Sequence, residues 1–386
     1  MEKFKAFCKK AWACIKNGTG KACSAVKDFI SEPPFHVVKR SQISTKKAML
    51  IRLIAILAAL LLCSLLSAVL IGANPIKFIT TLFDGAFGST RRIWKLAKDT
   101  AVLLCISLAV TPAFRMRFWN IGAEGQTLMG ALAAAAVAHY LGGKMPNGVL
   151  LLLMFVAAVI VGAVWGGIPA IFKAKWNTNE TLFTLMMNYI ASGIVAYFLL
   201  LWTPSGSSVL GELPHGHMPS IINDYFPLIV AVLILTVLLF VYLRYAKHGY
   251  EISVVGESEN TAKYVGINVG KVIVRTMLIS GAICGIAGFL IVSALDHSVS
   301  ETTVGGLGFT AIMASWLAKF NPLIMIGSSL FIVFLNQGAN QITTTFNIAS
   351  AFPDMVVGIV LFFIIGCEFF INYSLKRTEK NKKEDA

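Results

Sequence analysis

The stretch "AMLIRLIAILAALLLCSLLSAVLIGA" (residues 48–73) is the first apolar run of this chain that is long enough to cross a bilayer. A spanning helix needs about 20 consecutive apolar residues, and this run carries a single charged residue, Arg52. The whole chain has the same character: 56% of its 386 residues are hydrophobic, 13% are charged, and its mean hydropathy is +0.74. Because soluble domains carry about 25% charged residues, the sequence predicts an integral membrane protein.

Nine further apolar runs follow, and each predicts another membrane segment. They lie at about 100–114, 125–141, 148–171, 181–202, 225–243, 273–294, 306–318, 322–341 and 354–373. The runs at 125–141 and 306–318 are short or interrupted by glycine, which is typical of re-entrant or broken helices. The predicted fold class is therefore all-α, a polytopic integral membrane protein with about ten transmembrane segments.

The positions of the basic residues predict the orientation. Eleven of the 33 Lys and Arg residues precede Ala48, and five follow Leu375. With both ends in the cytoplasm, the inner segments carry 26 of the 33 basic residues and the outer segments six, as the positive-inside rule requires. One cluster is an exception on the predicted outer side: Arg91, Arg92, Lys95 and Lys98. The predicted domains are a basic cytoplasmic segment (1–47), a membrane domain (48–373) and a basic cytoplasmic tail (374–386).

The segment 1–47 lacks the apolar core of a cleavable signal peptide. Apolar residues recur in it at helical spacing with lysines between them, namely Phe4, Phe7, Ala11, Trp12 and Ile15. This pattern predicts an amphipathic helix on an anionic membrane surface, although a solvated basic tail fits equally well. Because the charge lies beside apolar spans and not in a groove with interleaved aromatic residues, we expect contact with membrane lipids and no nucleic-acid partner.

Several kinds of catalytic site are not expected. The seven cysteines include no CxxC pair and are expected to be reduced, without a metal site. The chain has no G-x-x-x-x-G-K-[ST] motif for nucleotide phosphates, no G-x-S-x-G and no HExxH. His215 and His217 lie in a Pro/Gly loop without Cys or carboxylate support and are expected to be exposed. We therefore predict no catalytic residues, no metal and no cofactor.

Polar side chains in the stretch "FWNIGAEGQTLMGALAAAA" (118–136) stand at the start of an apolar run. Asn120, Glu124 and Gln126 are separated by glycines that let the backbone bend or break. These three residues either support a broken helix, with Asn120 as its cap, or form part of the wall of a solute pathway. Capping and glycine geometry favour the first interpretation.

Two further sets of side chains share helical faces within apolar runs. Thr184, Met187 and Asn188 line one face, which either turns to a solute pathway or makes hydrogen bonds to a neighbouring helix. Phe309 and Trp316 are seven residues apart and also share a face. They are candidates for stacking on a nucleobase, whereas a Trp near a membrane interface is more commonly an anchor.

Glycines form stripes in two of the apolar runs. Gly281, Gly285 and Gly288 lie at helical spacing, as do Gly162 and Gly166. Such stripes predict close helix packing.

The inner loop 247–271 is polar and contains the pattern of a short capped helix. Ser258 or Asn260 is the predicted N-cap, Thr261 to Val265 the helix and Gly266 its end. A short helix between two spans is either an ordinary loop helix or the element by which an importer's membrane subunit docks on its ATPase.

Four blocks of the sequence resemble one family. The run "GYEISVVGESENTAKYVGINVGKVIVRTMLISGAICGIAGFL" (249–290), with "FWNIGAEGQ" (118–126), "TLMMNYIA" (184–191) and "GLGFTAIMASWLAKFNPL" (306–323), is similar to ABC-importer permeases for ribose, nucleosides and branched-chain amino acids. The blocks occur in the family's order across nearly the whole chain after Ala48. The form "NIGAEGQ" is most similar to the nucleoside and simple-sugar branch, whereas residues 1–47 have no counterpart in the family core.

The resemblance implies a non-catalytic transport subunit in the cell membrane. It would work with an ATP-binding subunit, a second permease and an extracytoplasmic substrate-binding lipoprotein. ATP hydrolysis on the partner would drive a nucleoside or related sugar-like solute into the cytoplasm. The match to the family's coupling helix is carried by six residues: Gly256, Glu257, Asn260, Ala262, Tyr264 and Gly266.

An ion-coupled secondary transporter acting as a single chain is the alternative. Such carriers usually bind the coupling ion with intramembrane Asp or Glu. Mid-span carboxylates are scarce here, since Glu124, Glu180 and Glu368 all lie near predicted span ends. The loop and the family blocks also favour the ABC permease.

Overall fold

The computed structural model describes residues 35–39, 44–72, 74–203, 209–220, 223–349 and 351–377. Within these ranges the chain forms thirteen α-helices. They are α1 (Thr45–Ile71), α2 (Pro75–Phe87), α3 (Thr90–Arg115), α4 (Ala123–Leu141), α5 (Asn147–Trp176), α6 (Glu180–Trp202), α7 (Phe226–Tyr245), α8 (Lys247–Glu257), α9 (Glu259–Tyr264), α10 (Val269–Ile291), α11 (Leu307–Leu317), α12 (Pro322–Phe346) and α13 (Phe352–Asn372). A π-helical turn, Val292–Asp296, extends α10.

Strands make up a small part of the described chain. The strands β1 (Phe35–Lys39) and β2 (Tyr373–Arg377) pair in antiparallel register, with Phe35 opposite Arg377. The all-α prediction is confirmed for the membrane-spanning part. The predicted amphipathic helix at residues 4–15 lies outside the described residues.

Each of the ten predicted segments coincides with a helix, and seven of these helices are long and apolar enough to cross a membrane. The seven are α1, α5, α6, α7, α10 with its π-helical turn, α12 and α13. In contrast, α11 has 11 residues, so it is about 16 Å long and covers about half of a 30 Å hydrocarbon core. The expectation of a short eighth segment is met by this helix.

The described chain divides into two compact units. One contains both ends of the chain, up to Ile79 and from Asp354, and the other is Thr80–Pro353. In the first unit, Arg52 on α1 donates to Glu368 on α13, with Nη2 2.6 Å from Oε1. This ion pair balances two charges that would be costly alone among apolar residues.

Close backbone packing holds α10 in the centre of the second unit, as the glycine stripes predict. A Cβ added to Gly162 on α5 would lie 2.5 Å from the carbonyl oxygen of Gly281. One added to Gly130 on α4 would lie 2.6 Å from Cα of Gly285. Gly288 likewise lies against the backbone of α4, so α10 contacts helices on both sides through glycine.

We expect Gly285→Ala to destabilise the second unit severely, because the added Cβ would overlap the α5 backbone around Ala158. Overpacking costs about 1–3 kcal/mol where side chains can move. The atoms nearest to the added Cβ are backbone atoms, which can move less than side chains. The measurement is the thermal unfolding midpoint of detergent-purified protein. Gly193→Ala on α6 is the control, since a Cβ there meets no atom within 4 Å. Equal midpoints for the two variants would contradict the packing argument.

Candidate functional site

The chain leaves its helical path between α3 and α4. Its course is fixed by contacts with α11: the Phe114 ring stacks on Phe320 just after α11, and Trp119 packs edge-on against Trp316 at 5.5 Å. Glu124 reaches the opposite end of α11. The chain from Trp119 to Glu124 therefore runs alongside α11 from its carboxyl end to its amino end, and residues 118–122 are the non-helical break before α4 begins at Ala123.

The carboxylate of Glu124 binds the amino terminus of α11. Its Oε1 accepts a hydrogen bond from Gly306 N and its Oε2 from Gly308 N, both at 2.7 Å. The cap position of α11 is Gly306, which has φ +81° and no side chain to offer. Glu124 therefore supplies from a distant segment the acceptors that a capping side chain normally gives, and its charge complements the positive end of the helix dipole.

Asn120 holds the same segment to α10. Its Nδ2 lies 3.2 Å from Ser280 Oγ and 3.3 Å from Gln126 Oε1, and its Oδ1 accepts from Gly122 N and Gln126 Nε2. The prediction that Asn120 caps the following helix is wrong, because α4 begins only at Ala123 and its cap residue is Gly122. The extended backbone places Asn120 too early for a cap, so its amide bridges to α10 instead.

Side chains of α6 satisfy the backbone of the broken segment from the other side. Asn188 accepts from Gly125 N at 2.9 Å and donates to Ile121 O at 3.0 Å. Thr184 accepts from Ile121 N at 3.2 Å and donates to Glu180 O. Gly125 must be small here, since its Cβ would lie 2.9 Å from the Asn188 Cα. These bonds use the polar groups that a pathway wall would offer to a solute.

The remaining pathway candidates differ in burial. Met187 is buried on α6, whereas Phe309 and Trp316 on α11 are 43% and 46% exposed. Trp316 is already in contact with Trp119. The structure therefore brings Trp316 to the broken segment, and it leaves Phe309 on an open face of α11.

A cavity of about 260 Å³ lies elsewhere, between α3, the end of α10, α11 and α12. Among the described residues that line it, none is a predicted pathway residue. Its polar lining includes Lys95 and Lys98 from the exceptional basic cluster, and three amide side chains of α12. Those amides interrupt an apolar span as "NQGAN" (336–340). That interruption is a signal in the sequence from which the cavity could have been predicted, although the predicted pathway residues do not include these amides.

The inner loop folds as two short helices. Ser258 is the cap of α9, because its Oγ accepts from Thr261 N at 3.3 Å, and Gly266 follows the helix at φ +81°. The predicted Ser258 cap is confirmed, and the alternative Asn260 instead lies inside the helix. The helix spans Glu259–Tyr264, two residues earlier at its start than predicted.

Contacts fix this loop to the membrane helices and leave its tip exposed. Gly256 packs against the carbonyl oxygen of Arg115 at the end of α3. Arg275 on α10 donates to Glu251 on α8 at 2.5 Å, and this bond lowers the pKa of the Glu251 carboxyl. Of the predicted coupling residues, Ala262 is fully buried, whereas Tyr264 is 92% exposed. Glu257, Asn260 and Gly266 are also exposed.

Comparison with known proteins places the chain in a family. Residues 92–365 match the family model described as the branched-chain amino acid transport system, permease component. The chain belongs to this permease family. Because the match covers most of the chain, the resemblance seen in the four sequence blocks is confirmed, and the chain is a multi-pass transport subunit and not a catalyst.

Individual permeases are similar over most of their length. The chain is 27% identical over 332 residues to the glucose ABC transporter permease protein of Haloferax volcanii, covering 82% of this chain and 86% of the relative. It is 28% identical over 325 residues to the guanosine ABC transporter permease protein of Bacillus subtilis, covering 82% and 92%. It is 24% identical over 359 residues to the nucleoside ABC transporter permease protein of Lactococcus lactis, covering 88% and 96%.

In this permease we expect Glu124→Gln to lower stability, because an amide nitrogen would face one of the two N–H donors of α11. A lost hydrogen bond with an unsatisfied buried group costs about 1–3 kcal/mol. The measurement is the thermal unfolding midpoint in detergent, with Glu301→Gln on an exposed loop as the control. An unchanged midpoint combined with lost solute uptake would instead place Glu124 in the pathway.

Proposed function

We propose that this permease is the membrane subunit of an ABC importer in the cell membrane, with both termini in the cytoplasm. Its cargo is a nucleoside or a related sugar-like solute. The relatives named for guanosine, nucleosides and glucose support this cargo class. An ATP-binding subunit would supply the energy, and a second permease and an extracytoplasmic substrate-binding lipoprotein would complete the complex.

The observation that carries this proposal is the inner loop formed by α8 and α9. Its tip presents Tyr264, an almost fully exposed aromatic side chain, on a six-residue helix with a fixed start at Ser258. Val265 beside it is 57% exposed, and contiguous exposed apolar side chains mark protein interaction sites, where an aromatic ring serves as an anchor in a partner's cleft. The exposed coupling residues Glu257, Asn260 and Gly266 lie on the same loop.

The same loop is positioned to transmit movement. Gly256 contacts the end of α3 without an intervening side chain, and Glu251 is bonded to Arg275 on α10. A displacement of α8 by a closing ATPase would therefore act on α3 and α10 together. Packed helices shift as rigid bodies and not by continuous deformation. The expected result is a movement of both helices at the far end of the bundle.

The secondary-transporter alternative requires a carboxylate that can bind a coupling ion. Glu124 does not suit that role, because both of its oxygens already accept hydrogen bonds from α11. In the cavity, Asp99 lies 3.7 Å from the Lys98 ammonium, and the charges of Asp99 and Asp296 are matched in number by Lys95 and Lys98, so the lining has no surplus negative charge for a coupling cation. These contacts favour a chain that takes its energy from a partner.

The proposed function is tested in liposomes. The permease reconstituted with its ATPase, its second permease and its binding lipoprotein should take up labelled guanosine only when ATP is present. Liposomes holding the permease alone, with a sodium or proton gradient, should take up none. Gradient-driven uptake by the single chain without ATP would establish the alternative.

For the docking loop, we expect Glu257→Lys and Gly266→Val each to weaken co-purification of the ATPase and to lower the solute transported per ATP. Charge reversal changes the docking face, and Val at φ +81° is strained. The matched controls are Glu212→Lys and Gly211→Val, exposed positions in the loop between α6 and α7. Normal coupling in both loop variants would remove the docking assignment.

A further inference from the structure

We infer that the cavity between α3, α10, α11 and α12 is the site at which this permease binds its solute during transport. We also infer that this solute is uncharged and polar and carries hydrogen-bond donors. The inference rests on the proposed function. It replaces the broken segment as the place of solute contact, since the polar groups of that segment are used by backbone and side-chain partners.

The charges around the cavity sum to zero. Lys95 and Lys98 come from α3 together with Asp99, and Asp296 comes from the π-helical turn after α10. The Lys98 Nζ lies 3.7 Å from Asp99 Oδ1, so one positive and one negative charge balance each other within the cavity wall. A binding site for a phosphate-bearing solute would need a surplus of cations. The balance therefore suits a neutral solute and disfavours nucleotides.

One amide in the wall is buried without a partner. Gln337 on α12 is 8% exposed, and within the described part of the chain its Oε1 accepts no hydrogen bond. Leaving a buried acceptor unsatisfied costs about 1–3 kcal/mol, so a cavity-lining residue of this kind is explained by a donor that arrives with a ligand. An N–H of a nucleobase or an O–H of a sugar supplies that donor.

Neighbouring side chains add the other groups that such a solute needs. Asn336 and Asn340 line the cavity one turn apart and are joined by a bond of 2.6 Å from Nδ2 of Asn340 to Oδ1 of Asn336. Apolar side chains of Leu103, Ile291 and Val333 complete the wall. Ligand sites commonly combine an apolar lining with a few placed polar groups. At about 260 Å³ the cavity is slightly smaller than the 300–1,000 Å³ typical of drug-sized ligands, which matches a small solute.

The cavity is connected to the inner loop through two of its walls. Its lining from α3 begins at Lys95, and the same helix ends at Arg115 against Gly256. Its lining from α10 includes Ile291, and the same helix carries Arg275 near its start. Movement of the loop would therefore change the distance between α3 and α10 at the solute.

The first test is Gln337→Leu in the complete transporter. We expect at least a tenfold loss of ATP-driven guanosine uptake, with normal assembly and an unfolding midpoint that is unchanged or higher, because an unpaired polar group is removed. Ser329→Ala is the control: Ser329 lies on the same helix, is fully buried and also has an unpaired hydroxyl within the described chain, but it does not line the cavity. Unchanged uptake by Gln337→Leu would overturn the inference.

The second test detects occupancy directly. In the assembled transporter, Thr310→Cys, at a lining position to which no solute contact is assigned, should react with a maleimide, and guanosine, uridine or glucose at saturating concentration should slow the labelling at least threefold. Glu301→Cys, outside the cavity, should be labelled at the same rate with or without solute. Both variants are made in a background in which Cys8, Cys14 and Cys23 are replaced by serine, and the other native cysteines, Cys63, Cys105, Cys284 and Cys367, are buried and give little background.

The outcomes separate the two proposals. Labelling of Thr310→Cys that none of the three solutes slows overturns the cavity assignment, even where wild-type uptake driven by ATP stands. Stronger protection by guanosine monophosphate than by guanosine overturns the neutral-solute assignment. Absence of ATP-driven uptake in the wild type, with protection intact, would instead contradict the importer and leave the binding site in place.

Discussion

A helix that begins inside a bilayer must have its first backbone N–H groups satisfied, because the hydrocarbon region holds no water to do so. The helix α11 meets this constraint through Glu124, whose two carboxylate oxygens accept from Gly306 and Gly308. Glycine at 308 lets the carboxylate and the α4 backbone approach, since a Cβ there would lie 2.6 Å from Glu124 N, whereas Gly306 adopts a φ of +81° that favours glycine. The Glu124 side chain thus satisfies the first N–H groups of α11 and links the start of α11 to the start of α4.

The same requirement explains the other polar residues around the break. The non-helical backbone at 118–122 and the first N–H groups of α4 have no helical partners, and Asn188 and Thr184 on α6 provide them. Asn188 lies eight residues after Glu180 at the start of α6, about 12 Å along that helix, and α6 is one of the helices long and apolar enough to span a membrane. There each unsatisfied backbone group costs several kcal/mol. Backbone satisfaction alone therefore accounts for an asparagine, a threonine and a carboxylate in an apolar setting.

Sequence was sufficient where the controlling interactions are local. Run length and composition located ten helices, glycine spacing predicted the packing of α10, and the pattern after Ser258 predicted the cap of α9. The sequence did not predict the role of Asn120, because its hydrogen-bond partner Ser280 is 160 residues away. The sequence did not predict the cavity for the same reason. The cavity walls come from four segments between Lys95 and Asn340, and the residue pattern within one segment does not indicate which other segments it packs against.

The contacts of the basic cluster at the start of α3 explain its position, which the predicted orientation of the chain does not. Four cations on the predicted outer side oppose the positive-inside bias, but two of them have acidic neighbours: Arg92 donates to Asp84 at 2.7 Å, and Lys98 lies beside Asp99. Pairing balances these two cations in the folded protein, where unpaired charges beside apolar helices would be costly. Lys95 and Lys98 also border the cavity. A charge-balanced wall at that place can orient the hydroxyl and amide dipoles of a neutral solute without holding it too tightly to be released, which is what a transport subunit requires of an intermediate site.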